Sequence, residues 1–317
     1  MQSNDGRAVT SADVVVVGAG PVGLLLAGDL VERGVAVTVV EQLTEPTTES
    51  RASTVHTRTM DLFAERGLLA DLAPTRGGAG HFGGIPLDLT AAAPDHRHAG
   101  QWKVPQTRIE AVLQDRALAH GARVLRGHRV TGLAVRPDHV EVETTTRAGQ
   151  VRIRCAYLVG CDGERSTVRR LAGFDFPGRA ARRELLRADV AGIDIRPRRF
   201  ERLPNGLAIA APGQDGITRV MMHEFGTAPL ERTAPPDFAE VVAVWRRITG
   251  EDISGGEPVW VNAFTDACRQ VTRYRQGRVL LAGDAAHVQL PAGGQAINLG
   301  LQDAADLGWK LAAQFGG

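Results

Sequence analysis

The sequence predicts an α/β fold: a parallel sheet flanked by helices, with an antiparallel β-sheet as a second domain. Two observations carry the first part. DVVVVGAGPVGLLLAGDLVERGVAVTVVEQ, near the amino end, reads as strand, glycine turn, helix and second strand. RVLLAGDAAHVQLPAGGQAINLGLQDAADLGWKLAA, at the other end, returns to strand, Gly-Asp turn, loop and helix. A third observation carries the second part: from Glu184 to about Trp260, short β-like runs are separated by Pro, Gly and Asn turns.

The elements follow in order. Val14–Val17 and Val35–Val40 are continuous and β-branched, as strands buried on both faces require. Between them Val22, Leu25, Leu26 and Leu30 recur at helical spacing, and Gly34 ends the helix. Arg58 to Leu72 is a second helical stretch. VPQTRIEAVLQDRALAHG places Ile109, Val112, Leu113 and Leu118 on the apolar side of a third. Val124–Leu125, Val130–Val135 and Val140–Thr146 alternate like strands, and Val151–Gly160 leads into CDGERSTVRRLAG. A helix near Asp237 to Arg247 interrupts the middle sheet. Ile297, Leu301, Ala305 and Leu311, with Trp309, are the packing residues of the last helix.

Composition narrows the function classes. With 317 residues, 43% hydrophobic and 23% charged, the chain has the make-up of a globular protein with a large core. A formal net charge of +1 offers no general nucleic-acid or membrane partner. Asp5 and the lack of an apolar core before Val14 argue against a secretory signal. The apolar stretch Val14 to Ala27 is broken by Gly18, Gly20, Pro21 and Gly23, unlike a membrane span. The expected location is cytoplasmic. Cys155, Cys161 and Cys268 are odd in number and lack ligand spacing, so they read as reduced thiols with no metal. The nine histidines make no H-E-x-x-H or Cys/His arrangement, and no G-x-S-x-G elbow is present.

Gly18, Gly20 and Gly23 form G-x-G-x-x-G directly after a strand and at the opening of a helix, the context the motif requires. The first glycine allows the tight turn, the second lets backbone approach a pyrophosphate, and the third permits close helix–strand packing. The helix N-terminus, at Pro21 and Val22, offers N–H groups and a positive dipole end. Glu41, followed by Gln42, ends the second strand where an acid would accept hydrogen bonds from a ribose 2′-hydroxyl, which suits NAD or FAD and disfavours NADP at this site. The competing reading is a tight structural βα turn.

The far end separates FAD from NAD through a resemblance. RVLLAGDAAH at 278–287, LPAGGQ at 290–295 and the helix from Asn298 to Leu311 resemble the Gly-Asp motif and flavin-facing helix of single-component, FAD-dependent aromatic hydroxylases of the para-hydroxybenzoate hydroxylase type. CDGERS at 161–166 resembles the family's Asp-Gly motif, and SRA at 50–52 and VPQ at 104–106 resemble its flavin-contacting segments. The matches span almost the whole chain in the family's order. The resemblance implies a Rossmann-like FAD-binding domain of the glutathione reductase type, made discontinuously of residues 1–75, 101–175 and 268–317, and a substrate-binding sheet of 76–100 and 176–267. Arg51 and Gln106 would then contact the pyrophosphate or ribityl chain, and Asp162 would lie near the pyrophosphate. Taken alone, Arg51 is one more surface arginine, Gln106 a residue near a helix start, and Asp162 a cap for the turn before Ser166 and Thr167.

Asp284, at a strand end after Gly283, reads as an acceptor for ribityl hydroxyls, with a turn-stabilising Asp as the rival. Pro291, Gly293 and Gly294 leave little side chain in the way of a planar ring. The helix beginning near Ala296, with Gln295 before it and Ile297 and Asn298 in its first turn, points its positive end at negative charge on reduced flavin. Ala296 stands where the family usually has glycine, and Leu299 where a small polar residue is common. Arg219 and His223 are substrate-side candidates able to polarise or deprotonate a phenol, against an ordinary sheet-face role.

The implied reaction is that of the family: NAD(P)H reduces FAD, dioxygen adds at flavin C4a, and the hydroperoxide transfers oxygen to an aromatic ring. HFGGIPLDL at 81–89 resembles a segment of hydroxylases acting on polycyclic aromatic polyketides, as in antibiotic biosynthesis. Relatives usually continue past the flavin-facing helix, often into a thioredoxin-like domain, so a missing C-terminal region or a partner subunit is expected to close the active site. The alternatives are a Baeyer–Villiger or epoxidising monooxygenase, a flavin-binding fragment or subunit without hydroxylase activity, and an NAD-only dehydrogenase.

Overall fold

The computed structural model describes residues 9–78, 80–82, 85–213 and 216–316. The chain divides into two compact units: residues up to Gly80, Asp88–Pro177 and those from Arg269 on, and His81–Leu87 with Gly178–Cys268.

In the first unit, Val9–Val17 and Val37–Glu41 are adjacent parallel strands, with Val14 opposite Val37 and Val17 opposite Val40. Arg123–Arg126 joins the far side of Val37–Glu41, and Gly149–Gly160 lies on the other side of Val9–Val17. Val279–Leu281 pairs in parallel with the last three residues of that long strand. Numbered in chain order, these strands run 3-2-1-4-5, the Rossmann order, which reverses between the strands ending at Val17 and Gly160. Val140–Thr146 and Arg129–Val135 extend the sheet as an antiparallel ladder against the first half of Gly149–Gly160. The alternating pattern at Val124–Leu125 therefore belongs to a parallel strand and those at Val130 and Val140 to antiparallel ones, a distinction set by pairing partners rather than by local sequence.

The helix Pro21–Val31 is buried nearly all round: Leu25, Leu26 and Leu30 expose nothing to solvent and Leu24 1%. It packs against Gln106–Ala119 and the last helix, Gln295–Ala312. Gly300 and Gly308 make the second contact close. A Cβ at Gly300 would stand 2.7 Å from Val22 Cγ2, and one at Gly308 3.0 Å from Asp29 Cβ. Asp29 is buried, and its carboxylate is met by Arg66 Nε at 2.8 Å and Arg116 Nη1 at 2.9 Å.

Several expectations change. The stretch Arg58 to Leu72 is two helices, Thr57–Glu65 and Leu69–Leu72, because Gly67 adopts φ +70° between them. Leu118 is 47% exposed and Trp309 55% exposed, so neither packs as its helical spacing implied, whereas Leu301 and Leu311 do. The segment 88–100, like the residues from Arg76 to Gly80, was assigned above to the substrate sheet and belongs with the first unit. His98 Nδ1 pairs with Asp61 at 2.8 Å, Trp102 donates to the His98 carbonyl and Arg76 to the Ala99 carbonyl, which tie it back to the helix Thr57–Glu65 and its neighbouring strands. Within HFGGIPLDL, Gly83 and Gly84 lie outside the described residues.

The second unit is an antiparallel sheet in the order Arg198–Leu203, Gly206–Pro212, Ile217–Glu224, Glu184–Ala191, Glu257–Thr265. The helix Phe238–Thr249 covers one face, burying Trp245 completely against Leu186, Ala188, Val190 and Val220. Asp237 caps that helix by accepting from the Glu240 N–H, and Gly250 at φ +78° ends it. Among the described residues no helix is long and apolar enough to cross a membrane.

Candidate functional site

Ligands of doubly wound sheets sit beyond the strands' carboxyl ends, at the point where strand order reverses. In this chain that point lies between Val17 and Gly160, and the Cys161 N–H donates to the Val17 carbonyl at 2.8 Å. Gly18 follows with φ +106°, and a Cβ there would fall 2.4 Å from the Cys161 carbonyl oxygen. A Cβ at Gly23 would lie 2.0 Å from the Gly18 carbonyl oxygen. Gly20 differs in kind: its φ of −80° suits any residue, and nothing stands within 4 Å of where its Cβ would be. Packing explains the outer two glycines; open space surrounds the middle one. The helix that begins at Pro21 has no side-chain cap and no acid in its first turn, so its amide end is available to an anion. Val22 turns its side chain to Gly283 and Gly300, leaving its backbone alone to face a ligand.

Glu41 accepts from the Ala19 N–H through Oε2 and from the Leu43 N–H through Oε1, each at 2.8 Å. The acid thus braces the glycine turn, and each oxygen retains a lone pair for a hydroxyl. Gln42 beside it is exposed. The segments 50–52 and 104–106 run side by side, with the Gln106 N–H reaching both the Ala52 carbonyl and Ser50 Oγ. Arg51 is exposed and meets Glu49 at 3.2 Å. The Gln106 side chain donates to Glu110 Oε1 at 2.8 Å, and burial pushes the Glu110 carboxyl above its usual range. Asp162 accepts from Ser166 Oγ at 2.5 Å and from the Thr167 and Val168 N–H groups, so the capping role weighed above is realised at the reversal point.

After the fifth strand, Gly283 takes φ +62° and its N–H donates to Asp303 Oδ2 at 2.9 Å. Asp303 also receives His287 Nε2 at 2.7 Å, and that bond holds the His287 pKa above its ordinary value. Asp284 behaves otherwise. Among the described residues its carboxylate accepts no hydrogen bond, which removes the turn-stabilising reading. Its side chain is solvent-exposed, yet the protein crowding around it raises its pKa by desolvation, against the pull of His287 and Arg51. An exposed carboxylate amid crowding protein atoms is within reach of a ligand. Arg169 joins the two motif loops, donating to the Glu164 carbonyl at 2.7 Å and the Ala285 carbonyl at 2.9 Å with its guanidinium 3.9 Å over Phe176.

In the loop before the last helix, Pro291 is exposed and Gly293 and Gly294 adopt φ +79° and +74°. Gly294 has a second reason to be glycine, since a Cβ would meet Thr54 Cβ at 2.7 Å. Gln295 is exposed, and Ala296 and Ile297 are half-buried. Asn298 requires a correction. It is buried, it donates to the Thr54 and Gly294 carbonyls and it accepts from the His56 N–H, so its side chain belongs to the protein rather than to a ligand. Sequence reasoning missed Asp303, Arg169 and His56. Only Asp303 left a local trace, an ionisable residue beside the buried Leu301 and Ala304 stripe.

In the second unit, Arg219 forms a two-pronged pair with Asp189, both contacts 2.6 Å, and the buried His223 bonds the Glu184 carbonyl through Nδ1 at 2.9 Å. These contacts engage both side chains within the sheet.

A family profile described as an FAD binding domain matches residues 11–317. The chain belongs to that FAD-binding family. It is 42% identical over 328 residues to the 12-dehydrotetracycline 5-monooxygenase/anhydrotetracycline 6-monooxygenase of Streptomyces rimosus, covering 96% of this chain and 63% of the relative. The structure of CabE, an aromatic hydroxylase from angucycline biosynthesis, superposes with a TM-score of 0.91 at 51% identity, over 95% of this chain and 62% of CabE. The dialkyldecalin synthase of Streptomyces rugosporus is 38% identical over 97% of this chain and 66% of its own length. The chain thus spans a little under two thirds of these relatives. The residues of the site fit FAD: an uncapped helix end, open space at Gly20 and an unpaired carboxylate at Asp284 stand where an extended dinucleotide requires them.

Proposed function

We propose that this chain is the FAD-holding part of an NAD(P)H- and O2-using monooxygenase that hydroxylates an aromatic, polycyclic polyketide. The observation that carries the reading is Asp284, an exposed carboxylate that accepts no hydrogen bond among the described residues and follows Gly283, against which Val22 of the Gly18–Gly23 turn packs. Family membership and the names of the tetracycline and angucycline relatives support the substrate class.

Bound FAD, once reduced, supplies the electrons that activate dioxygen. The chain's own residues hold and orient it. Gly18, Gly20, Pro21, Val22 and Gly23 would receive the pyrophosphate on backbone N–H groups, and Glu41, with Gln42, the adenosine ribose. Arg51, Gln106 and Asp162 would flank the phosphates and ribityl chain, and Asp284, held by Gly283, would accept ribityl hydroxyls. Pro291, Gly293, Gly294, Gln295, Ala296 and Ile297 would meet the ring edge, where the helix end favours negative charge. Asn298 would position that loop. The antiparallel sheet would carry the substrate, and further chain or a partner subunit would exclude water from it.

The dialkyldecalin synthase supports a second reading, in which the flavin scaffold serves a protein that is not an oxygenase. One experiment separates the two. The purified protein should show a flavin spectrum, and a polycyclic aromatic polyketide should accelerate NAD(P)H oxidation and gain one oxygen by mass. Bound FAD with no substrate-dependent NAD(P)H oxidation favours the second reading; a colourless protein that binds no FAD refutes both.

A further inference from the structure

Two side chains, His56 and Asn298, hold the double-glycine step before the last helix. His56 Nε2 lies 3.1 Å from the Gly293 carbonyl oxygen, and Asn298 Nδ2 lies 2.7 Å from that of Gly294. A carbonyl can only accept, so the His56 nitrogen that faces it carries the proton. Burial lowers the His56 pKa, which favours the neutral ring. His56 and Asn298 also hold each other, through the His56 N–H and Asn298 Oδ1 at 2.9 Å, and the strand Thr54–His56 takes the other amide hydrogen of Asn298 on the Thr54 carbonyl.

In a trans peptide the C=O and N–H point in opposite directions. Anchoring the carbonyls of Gly293 and Gly294 therefore aims the N–H groups of Gly294 and Gln295 away from His56. The acceptor that Gly294 N–H finds within the protein is the Pro291 carbonyl at 3.4 Å, a weak contact. Two left-handed glycines have the freedom to flip these peptides, and a flip would present carbonyl oxygens where the N–H groups now stand.

We infer that His56 is a positioning residue for the cofactor: by holding the Gly293 carbonyl it keeps the loop's N–H groups directed at the acceptor edge of bound flavin. The inference rests on the FAD reading above. Its consequence is electrostatic. N–H groups favour the reduced, negatively charged ring over the oxidised one, and misdirected carbonyls disfavour it.

The test compares FAD-loaded wild type with His56→Leu, which has no donor, and His56→Gln, whose amide nitrogen reaches about as far as Nε2. The readouts are FAD midpoint potential and visible spectrum, with melting of the FAD-free protein as the control for folding. His56→Leu should lower the equilibrium constant for flavin reduction about tenfold, the effect of one hydrogen bond to a charged group, or about 30 mV for a two-electron couple. His56→Gln should restore the potential. If His56→Leu does not fold, His56→Asn, too short to reach Gly293, should show the same shift. A wild-type potential in the variant that lacks the contact, or equal shifts in Leu and Gln variants, overturns the inference while leaving the FAD reading standing. Wild type that takes up no FAD overturns both.

Discussion

Replacing Gly20 with alanine separates a ligand's need for glycine from the protein's own. At Gly20 the backbone is in an ordinary extended conformation and a Cβ would meet nothing within 4 Å. The helix N-cap has no side-chain hydrogen bond to lose. The FAD-free protein should therefore keep its stability to within about 1 kcal/mol, the span of N-cap preferences at such a site. FAD should suffer: a methyl group placed where a phosphate approaches costs about 1–3 kcal/mol of overpacking, or roughly 5- to 150-fold in Kd. Gly23→Ala is the counterpart. Its Cβ would stand 2.0 Å from the Gly18 carbonyl oxygen and 3.2 Å from Val16 Cγ1, so the turn and helix must move apart by at least about 1.4 Å to reach ordinary contact. That variant should lose both stability and FAD. Urea unfolding of the FAD-free proteins and fluorescence titration with FAD measure the two quantities. Wild-type FAD affinity in Gly20→Ala would refute the reasoning, as would a Gly20→Ala protein destabilised as much as Gly23→Ala.

Asp284→Asn should weaken FAD binding while slightly stabilising the FAD-free protein at neutral pH. The raised Asp284 pKa means that its ionised form is disfavoured in the fold, so its stability contribution is complete below the ordinary Asp value and lost as pH rises through the folded one; thermal melts at pH 4 and 7 check the sign. For His287, the bond to Asp303 raises the folded pKa, so its contribution is complete below about pH 6.5 and disappears as pH rises through the folded value. Asp303→Asn should flatten that part of the melting-versus-pH curve. Asp29→Ala removes the buried carboxylate shared by Arg66 and Arg116, leaving Arg116 with the half-exposed Glu32 and Arg66 with the Leu62 carbonyl, and should destabilise the first unit by about 3 kcal/mol in urea unfolding.

The sequence by itself determined the local units and a dinucleotide site, and its resemblance to a flavoprotein family pointed to FAD. Strand, glycine turn and helix are readable from Gly18, Gly20 and Gly23 because each demand is local: a positive φ, an absent Cβ, a free helix end. The same holds for the Gly283–Asp284 turn and for the alternation that marks the middle sheet. Tertiary structure decided what locality cannot. The strand order 3-2-1-4-5 and the meeting of residues 17 and 161 depend on pairings across more than a hundred positions. Asn298 and Asp284 look alike in sequence, each a short polar residue next to a glycine-bearing motif. One is consumed by three contacts to the protein and the other is left open to a ligand, because a hydrogen-bond partner distant in sequence is visible only once the chain has folded.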